Sequence, residues 1–251
     1  MEMTTSKLGR IIIKTLVSLS FSTTKNYEEN LQTLLHLINI AQDDSFIVAP
    51  EVALSGFDYE NLESALAFAS VASEALLGAS QNKTIVVTML ERVGGEIFNV
   101  VKVFSKGILL HQRAKARLFR LGDEHKFMSE GSDEAIKIIE LDGVKIAILI
   151  CFELRFKELW QKIEGADVIA LPAWWGVLRA EHFRILSEAL AITNQCYVVA
   201  SDSTNAECSG LSGIISPQGK AQRNGNKPCL EVQYDKKEIA LMRRYLDVGI
   251  K

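Results

Sequence analysis

The stretch KIAILICFELRFKELW, residues 145–160, decides the fold that we expect for this chain. Isoleucine stands at every second position from 146 to 150, which predicts a buried strand, and polar residues at helical spacing follow. Cys151 lies at the junction, where open α/β sheets present reactive groups and where a helix start supplies N–H groups that favour a thiolate. The alternative is that Cys151 is only a small buried hydrophobe.

Composition excludes several classes of function. The chain has 251 residues, of which 48% are hydrophobic and 24% charged, which is typical of an ordinary soluble globular protein with one α/β domain. The formal net charge is -3 and no long basic run is present, so we expect neither nucleic acid nor an anionic membrane as a partner. The expected partner is a small molecule.

The spacing of cysteine and histidine argues against a metal site. The four cysteines fit neither a paired zinc-ligand pattern nor a dense disulfide framework, so we expect free thiols and a cytoplasmic protein. The four histidines include no i,i+4 pair, so we predict no metal. Charged Lys14 interrupts the apolar run 11–21, which argues against a secretory leader. No run approaches the roughly 20 apolar residues of a membrane span.

Strands and helices alternate along the rest of the chain. Apolar alternation predicts strands at 11–19, 45–49, 84–91, 97–104, 108–112, 135–140, 144–150, 168–171, 197–200, 211–216 and 229–234. Apolar residues at helical spacing predict helices at 26–41, 62–77, 155–164 and 180–194. The charged loop 113–131 is long enough to be functional, and 236–251 is interpreted as a polar tail that packs on a partner chain.

Three polar residues fall at or just after predicted strand ends: Glu51, Lys115 and Cys151. Each alone is weak evidence, because a lone glutamate or lysine in a loop is usually a solvated surface residue. Together they supply what a thiol needs to attack an amide. The carboxylate of Glu51 can take the thiol proton and pass it to the leaving amine, while Lys115 and the backbone N–H of Phe152 hold the developing negative charge.

The segments around these three residues resemble the motifs of the carbon–nitrogen hydrolase family, also called the nitrilase superfamily. The segments are APEVALSGF around Glu51, RAKARLF around Lys115 and LICFELRFKELW around Cys151. The resemblance implies that Glu51 is the general base, that Lys115 is the catalytic lysine and that Cys151 is the nucleophile. It extends over about residues 11–235, and three spaced motifs are far more specific than one.

The same resemblance sets the expected architecture. It implies a single α/β domain over residues 1–251 that forms a four-layer α-β-β-α sandwich and associates into a homodimer or a larger homo-oligomer. It implies no metal and no organic cofactor. It also implies that Glu124 is a second glutamate of the active site that orients Lys115, while the alternative of a salt-bridged loop acid stays open.

The segment PAWWGVLRAEHFRIL, residues 172–186, resembles the ω-amidase branch of the family. Arg179 of this segment can clamp the carboxylate of a dicarboxylic monoamide, or it can be a surface charge. The residues predicted to contact substrate are Phe57, Phe152, Trp174, Trp175, Arg179 and His182. The two tryptophans can instead fill the core. The chain departs from the branch pattern at Phe57, Arg117, Phe183 and Thr193, which leaves the substrate open.

We therefore predict a cytoplasmic thiol amidase that cleaves the C–N bond of a small amide through a thioester at Cys151 and releases ammonia. Hydrolysis of a nitrile or of an N-carbamoyl amide is the enzymatic alternative. A non-catalytic interaction protein on the same fold is the other alternative, and the complete set of Glu51, Lys115 and Cys151 argues against it.

Overall fold

Two six-stranded sheets stack face to face in the computed structural model, which describes residues 13–250. The strands are β1 (Thr15–Leu19), β2 (Ser45–Val48), β3 (Thr84–Val93), β4 (Glu96–Ser105), β5 (Ile108–Ala114), β6 (Ile139–Leu141), β7 (Val144–Ile148), β8 (Val168–Ala173), β9 (Tyr197–Asp202), β10 (Gly213–Ile215), β11 (Ala221–Arg223) and β12 (Cys229–Gln233). The helices are α1 (Tyr27–Ile40), α2 (Leu62–Ala79), α3 (Glu124–Phe127), α4 (Lys157–Lys162), α5 (Ala180–Asn194) and α6 (Lys236–Tyr245).

Each sheet has parallel strands at its centre and antiparallel strands at its edges. The first sheet has the order β12-β1-β2-β3-β4-β5, in which β1, β2 and β3 run parallel. The second has the order β11-β10-β9-β8-β7-β6, in which β7, β8 and β9 run parallel. Parallel neighbours end at the same edge of a sheet. The two edges meet, because the N–H of Glu51 after β2 donates to the carbonyl of Ala173 in β8 at 3.1 Å.

In the first sheet, β1, β2 and most of β3 are buried on both faces, so their side chains alternate between two cores. Val17, Ile47 and Ile85 pack with residues of α1 and α2 on one face. Their neighbours Leu16 and Phe46 belong to the core that includes the second sheet. Helix α5 covers the other side of that sheet, where it contacts β9. The layers are therefore helix, sheet, sheet and helix, which confirms the α-β-β-α sandwich with a single domain.

Small polar side chains join the two sheets where β1 and β9 approach each other. The hydroxyl of Ser18 donates to the carbonyl of Ala200 at 2.7 Å. The hydroxyl of Ser201 donates in the other direction, to the carbonyl of Leu19. All four residues are buried, so these hydrogen bonds form away from water and fix one sheet against the other.

Most predicted elements are present, and three expectations need correction. Residues 236–245 form helix α6, whose Ile239 is buried, instead of only a polar tail. Strand β11 was not predicted, because it has only three residues and these show weak periodicity. The predicted helix 155–164 is shorter, because residues Cys151–Arg155 form a 3₁₀ turn before α4. Residues 11 and 12 of the first predicted strand lie outside the described part of the chain.

The stretch Tyr59–Ala79 has the length and the composition of a membrane span, with a mean hydropathy of 1.3. This differs from the expectation that no run approaches such a span. Core helices pass the same test, and this helix packs on β3. Its buried residues fall at helical spacing on one face: Ala65, Ala69, Ala72 and Leu76. The stretch therefore forms part of the outer helical layer.

Candidate active site

Three strand ends bring the predicted catalytic side chains to one buried point. Glu51 follows β2, Lys115 follows β5 and Cys151 follows β7. The Lys115 ammonium donates to Oε1 of Glu51 at 2.7 Å, and the charge of Glu51 acts on the nearby Cys151 thiol, whose pKa it raises. Glu51 and Lys115 are 0% exposed, and Cys151 is 6% exposed. Residues that are far apart in the sequence therefore lie within contact distance.

The Glu51 carboxylate is held at both oxygens. Lys115 and the side-chain amide of Asn99 donate to Oε1, at 2.7 and 2.8 Å. The backbone N–H of Trp174 donates to Oε2 at 3.2 Å. A carboxylate fixed in this way cannot rotate without losing hydrogen bonds in a dry site, which is the preorganisation that a general base needs.

Lys115 lies between two carboxylates. Glu124 of α3 accepts from the ammonium at 2.9 and 3.0 Å, and it also accepts from the backbone N–H of Phe119 at 3.0 Å. The ring centre of Phe57 is 5.9 Å from the ammonium nitrogen. An ammonium has three N–H donors, so one can serve Glu51 and one Glu124. The third can then serve an oxyanion.

The environment of Cys151 favours the neutral thiol. Burial, followed by the charge of Glu51, raises the pKa of this thiol well above its ordinary value, although Lys115 acts in the opposite direction. The thiol donates to the carbonyl of Trp174, with 3.7 Å between sulfur and oxygen. The expectation that a helix start favours a thiolate is therefore wrong. A five-residue 3₁₀ turn follows Cys151, and it lacks the aligned dipoles of a long helix.

Burial shifts the pKa values of Glu51 and Lys115 in opposite directions. Burial raises the pKa of Glu51, Lys115 lowers it and Glu124 raises it again, and the net change is an increase. Burial lowers the pKa of Lys115, but the two carboxylates outweigh this effect and hold it above its usual range. Lys115 is therefore a cation at neutral pH. Glu51 holds its proton more tightly than an ordinary carboxyl does.

The backbone is strained beside both reacting groups. Cys151 has a φ of 44° and Val52, directly after Glu51, has a φ of 43°. A β-branched residue at positive φ is a steric outlier, and such strain costs about 1–3 kcal/mol. The N–H of Val52 donates to the hydroxyl of Thr88 at 2.6 Å, which helps to hold this conformation. The strained residues are therefore Cys151 itself and the residue that follows Glu51.

A small cavity of about 20 Å³ lies against Cys151, with room for about one water molecule. Its walls are Phe119, Cys151, Phe152, Arg155, Trp174, Trp175, Gly176 and Arg179. A chamber of about 320 Å³ adjoins it and reaches Glu124. The two spaces share Phe119, Trp174, Gly176 and Arg179, so these residues separate the thiol from the larger chamber.

Two guanidinium groups in the cavity wall lie against aromatic rings. Arg179 is 5.1 Å from the ring centre of Phe119, and Arg155 is 4.8 Å from that of Trp175. Within residues 13–250, the arginines that pair with carboxylates are others. Burial and the charge of Arg179 lower the pKa of Arg155. Two positive charges therefore meet beside the thiol without a carboxylate partner in this part of the chain.

The structure separates the predicted substrate contacts into three groups. Four of them line the cavity: Phe152, Trp174, Trp175 and Arg179. Phe57 lines the adjoining chamber and meets Trp174 edge-on, with ring centres 6.0 Å apart. His182 is exposed and lies outside both spaces, and its Nδ1 is 3.1 Å from the guanidinium of Arg155. His182 can therefore reach a substrate only through Arg155.

Sequence reasoning missed two residues of the site. Asn99 is 0% exposed and contacts Glu51 from the middle of β4. A polar side chain in an otherwise apolar strand was the available signal. Arg155 also lines the cavity, and it lies four residues after Cys151, within the stretch 145–160. The sequence around Arg155 does not indicate this role, because Trp175, whose ring the guanidinium contacts, belongs to another loop.

The remaining titratable groups show no metal arrangement. Within residues 13–250, no group of three or more His, Cys, Asp or Glu side chains is placed to hold a metal ion. The cysteines Cys151, Cys196, Cys208 and Cys229 are free thiols.

Comparison with known proteins gives a consistent match. A family model described as carbon-nitrogen hydrolase matches residues 16–236. The 2-oxoglutaramate amidase of Bacillus subtilis (strain 168) is 31% identical over 215 residues, which cover 80% of this chain and 82% of that protein. The omega-amidase YafV of Escherichia coli (strain K12) is 33% identical over 181 residues, which cover 69% of this chain and 70% of that protein.

A solved structure shares the fold. The XC1258 protein of Xanthomonas campestris, described as a CN-hydrolase superfamily protein with an arsenic adduct in the active site, superposes with a TM-score of 0.82. The alignment covers 93% of this chain and 95% of that chain at 21% sequence identity. At this identity the likeness concerns the fold alone.

Proposed function

Because this chain belongs to the carbon–nitrogen hydrolase family, in its ω-amidase-like branch, we propose that it hydrolyses the amide of a small dicarboxylic monoamide through a thioester at Cys151. Amide C–N hydrolysis follows from the family. The mechanism rests on one observation, the buried 2.7 Å contact of Lys115 with Glu51 beside the Cys151 thiol.

The first half of the reaction forms the thioester. Glu51 accepts the thiol proton as the sulfur of Cys151 attacks the carbonyl carbon, because a buried neutral thiol needs a base. The carbonyl oxygen becomes an oxyanion, which Lys115 and the N–H of Phe152 stabilise. When the C–N bond breaks, Glu51 returns the proton to the leaving nitrogen, and ammonia is released.

The second half returns the enzyme to its starting state. Glu51 accepts a proton from water, and the hydroxide oxygen attacks the thioester carbon. Lys115 again stabilises the oxyanion. The C–S bond then breaks, the thiol regains its proton from Glu51, and a carboxylic acid leaves. Glu124 keeps Lys115 in place throughout, because it holds the ammonium from the side away from Glu51 at 2.9 Å.

The substrate class rests on the two arginines. Arg155 and Arg179 both line the cavity at Cys151, and we place the second carboxylate of the substrate between them. A guanidinium binds a carboxylate by two parallel hydrogen bonds, and the aromatic rings beneath each arginine hold it flat. The cavity of about 20 Å³ at Cys151 has room for little more than the reacting group, and we place the rest of the substrate in the adjoining chamber of about 320 Å³.

A hydroxylamine trap tests the thioester. Wild-type protein incubated with succinamate and hydroxylamine should form a hydroxamate, whereas Cys151→Ala should form none. Glu51→Gln should lose turnover and keep its circular dichroism spectrum, because it removes the base without changing side-chain size. A hydroxamate yield that is equal in wild type and Cys151→Ala would overturn the mechanism.

A substrate panel tests the carboxylate. Succinamate should exceed uncharged butyramide in kcat/KM, and Arg179→Met should lose that preference by about 10- to 100-fold, the value of a hydrogen bond to a charged group. Butyramide turnover is the internal control and should stay nearly constant. The same panel includes a nitrile and an N-carbamoyl amide, and preferred turnover of either would replace the monoamide proposal.

We also propose that the protein is a homo-oligomer, built on α5 and the C-terminal segment. Ile185 and Ile192 lie on one face of α5 at 49% and 47% exposure, and Tyr245 and Leu246 are 75% and 54% exposed. The side chain of Gln195 donates to the carbonyl of Leu246 at 2.6 Å, which places the two segments side by side. Exposed apolar groups of this kind mark interfaces. A cytoplasmic location stays a prediction from the spacing of the cysteines.

A further inference from the structure

The peptide bond between Trp174 and Trp175 contacts the site on both of its sides. The carbonyl oxygen of Trp174 accepts from the Cys151 thiol, with 3.7 Å between oxygen and sulfur. The N–H of Trp175 donates to Oδ1 of Asp202 at 2.8 Å. One peptide earlier, the N–H of Trp174 donates to Glu51 at 3.2 Å. The end of β8 therefore binds the thiol, the base and one further carboxylate.

Asp202 is a buried carboxylate that the proposed reaction does not use. It ends β9, where it pairs in register with Ala173 of β8, and it is 0% exposed. Its oxygens also accept from the N–H groups of Ser203 and Gly210, at 3.0 and 3.1 Å, and from the hydroxyl of Ser209. These donors lie in the loop that follows β9, where the N–H of Ser209 also donates to the carbonyl of Trp175 at 2.7 Å.

The geometry of a peptide unit links Asp202 to the thiol. The unit is planar and trans, so its N–H and its C=O point in opposite directions. An acceptor that holds the N–H of Trp175 therefore fixes the carbonyl of Trp174 toward Cys151. Without that acceptor, the N–H is buried and unpaired, at a cost of about 1–3 kcal/mol. Rotation of the peptide to relieve this cost would turn the carbonyl away from the thiol.

We propose that Asp202 is a positioning residue for the nucleophile and the base: it accepts the N–H of Trp175 and thereby fixes the strand end that binds Cys151 and Glu51. Asp202 does not line the cavity, so it acts only through this peptide. The inference rests on the proposed function for the identity of the reacting groups.

The role of Asp202 is that of an acceptor oxygen and not of a charge. Burial raises the pKa of Asp202 to about 7, so both protonation forms are present near neutral pH. Each form keeps an oxygen that can accept from Trp175. An asparagine at this position keeps such an oxygen, whereas a leucine of similar size does not.

The experiment compares Asp202→Leu with Asp202→Asn. Two readouts are measured: kcat and KM for succinamate, and the rate at which iodoacetamide alkylates Cys151, followed by peptide mass spectrometry. Asp202→Leu should lose on the order of 100-fold in kcat, the effect of a misplaced reacting group, while KM changes by less than about threefold. Alkylation of Cys151 should slow with it. Asp202→Asn should restore both rates.

Ser212→Ala is the matched control. Its hydroxyl accepts from the N–H of Asp202 at 2.8 Å and is buried, but it does not touch Trp175. The control should lose stability and keep kcat. If Asp202→Leu does not fold, Asp202→Ala replaces it in the same comparison.

Three results overturn the inference. They are a folded leucine or alanine variant with nearly wild-type kcat, an asparagine variant as slow as the leucine variant, and an equal loss of kcat in Ser212→Ala. Failure of the proposed function looks different, because wild-type protein would then turn over no amide. The alkylation rates would still report whether Asp202 positions Cys151.

Discussion

Lys115 organises the charges of the site at the scale of single residues. It donates to Glu51 at 2.7 Å and to Glu124 at 2.9 Å, so it screens two buried carboxylates from each other. Glu124 still raises the pKa of Glu51, after burial has raised it and Lys115 has lowered it. The pKa of Glu51, the proposed base, therefore depends on Glu124, which need not contact the substrate.

The acid limb of the pH profile should reveal this dependence. Glu51 acts as a base only when ionised, so kcat/KM falls as pH drops through its pKa. Because Glu124 raises that pKa, Glu124→Gln should move the acid limb to lower pH, in addition to lowering the rate. The measurement is kcat/KM for succinamate as a function of pH.

Asp123→Asn is the control for this shift. Asp123 adjoins Glu124 in sequence, but its side chain is 52% exposed and pairs with Lys126 at the surface. Its acid limb should coincide with that of the wild type. An acid limb that stays in place or moves to higher pH in Glu124→Gln would contradict the proposed coupling.

At the scale of secondary-structure elements, the buried carboxylate of Glu153 joins the turn Cys151–Arg155 to β5. Glu153 accepts from both terminal nitrogens of Arg113, at 2.9 and 2.6 Å, and is 0% exposed. It also accepts from the backbone N–H groups of Ala116 and Ile150, each at 2.7 Å. Ala116 follows Lys115 and Ile150 precedes Cys151. This ion pair therefore ties β5 of one sheet to the end of β7 in the other.

Removal of one partner should be costly. Arg113→Met leaves the charge of Glu153 buried without its cation, and breaking such a pair destabilises a protein by about 3–5 kcal/mol. The measurement is the free energy of unfolding in urea at fixed protein concentration. Arg92→Met is the control, because its pair with Glu63 has side chains that are 45% and 82% exposed. That change should cost about 1 kcal/mol or less. Equal losses in the two variants would show that burial of the pair is unimportant.

Both outer layers carry exposed apolar side chains at the scale of the whole molecule. On α5 these include Ile185, and on α2 they include Val71, at 49% and 54% exposure. The α5 surface adjoins the C-terminal segment, whose Leu246 is held by Gln195. The α5 surface also begins one residue after Arg179, so an assembly on this face would stabilise the loop that lines the cavity.

A charge on α5 should separate the proposed oligomer. Ile185→Glu places a carboxylate in an apolar contact, so light scattering after gel filtration should give the mass of a monomer. Val71→Glu carries the same change on the opposite layer and should keep the mass of the wild type. A wild-type protein that is already monomeric, or an unchanged mass in Ile185→Glu, would refute this interface.

Local patterns were enough to predict most elements. The helix 180–194 has the bounds that its apolar spacing indicated, and the Asp142-Gly143 turn joins β6 to β7 as expected. Helix α6 was missed, because only Ile239 is buried in it and half of its ten residues are charged, so its apolar face is narrow. The loop 113–131 also had no local pattern, yet it carries Glu124 on a four-residue helix.

The sequence by itself determined most of the strands and helices and their order, and it placed Glu51, Lys115 and Cys151 at strand ends. It could do so because alternation and strand termination are properties of neighbouring residues. Only the tertiary structure decided that burial raises the pKa of the Cys151 thiol, that Asn99 donates to Glu51 and that Asp202 accepts from the N–H of Trp175. Those outcomes depend on burial and on distances between segments far apart in the chain, and local periodicity carries no information about either.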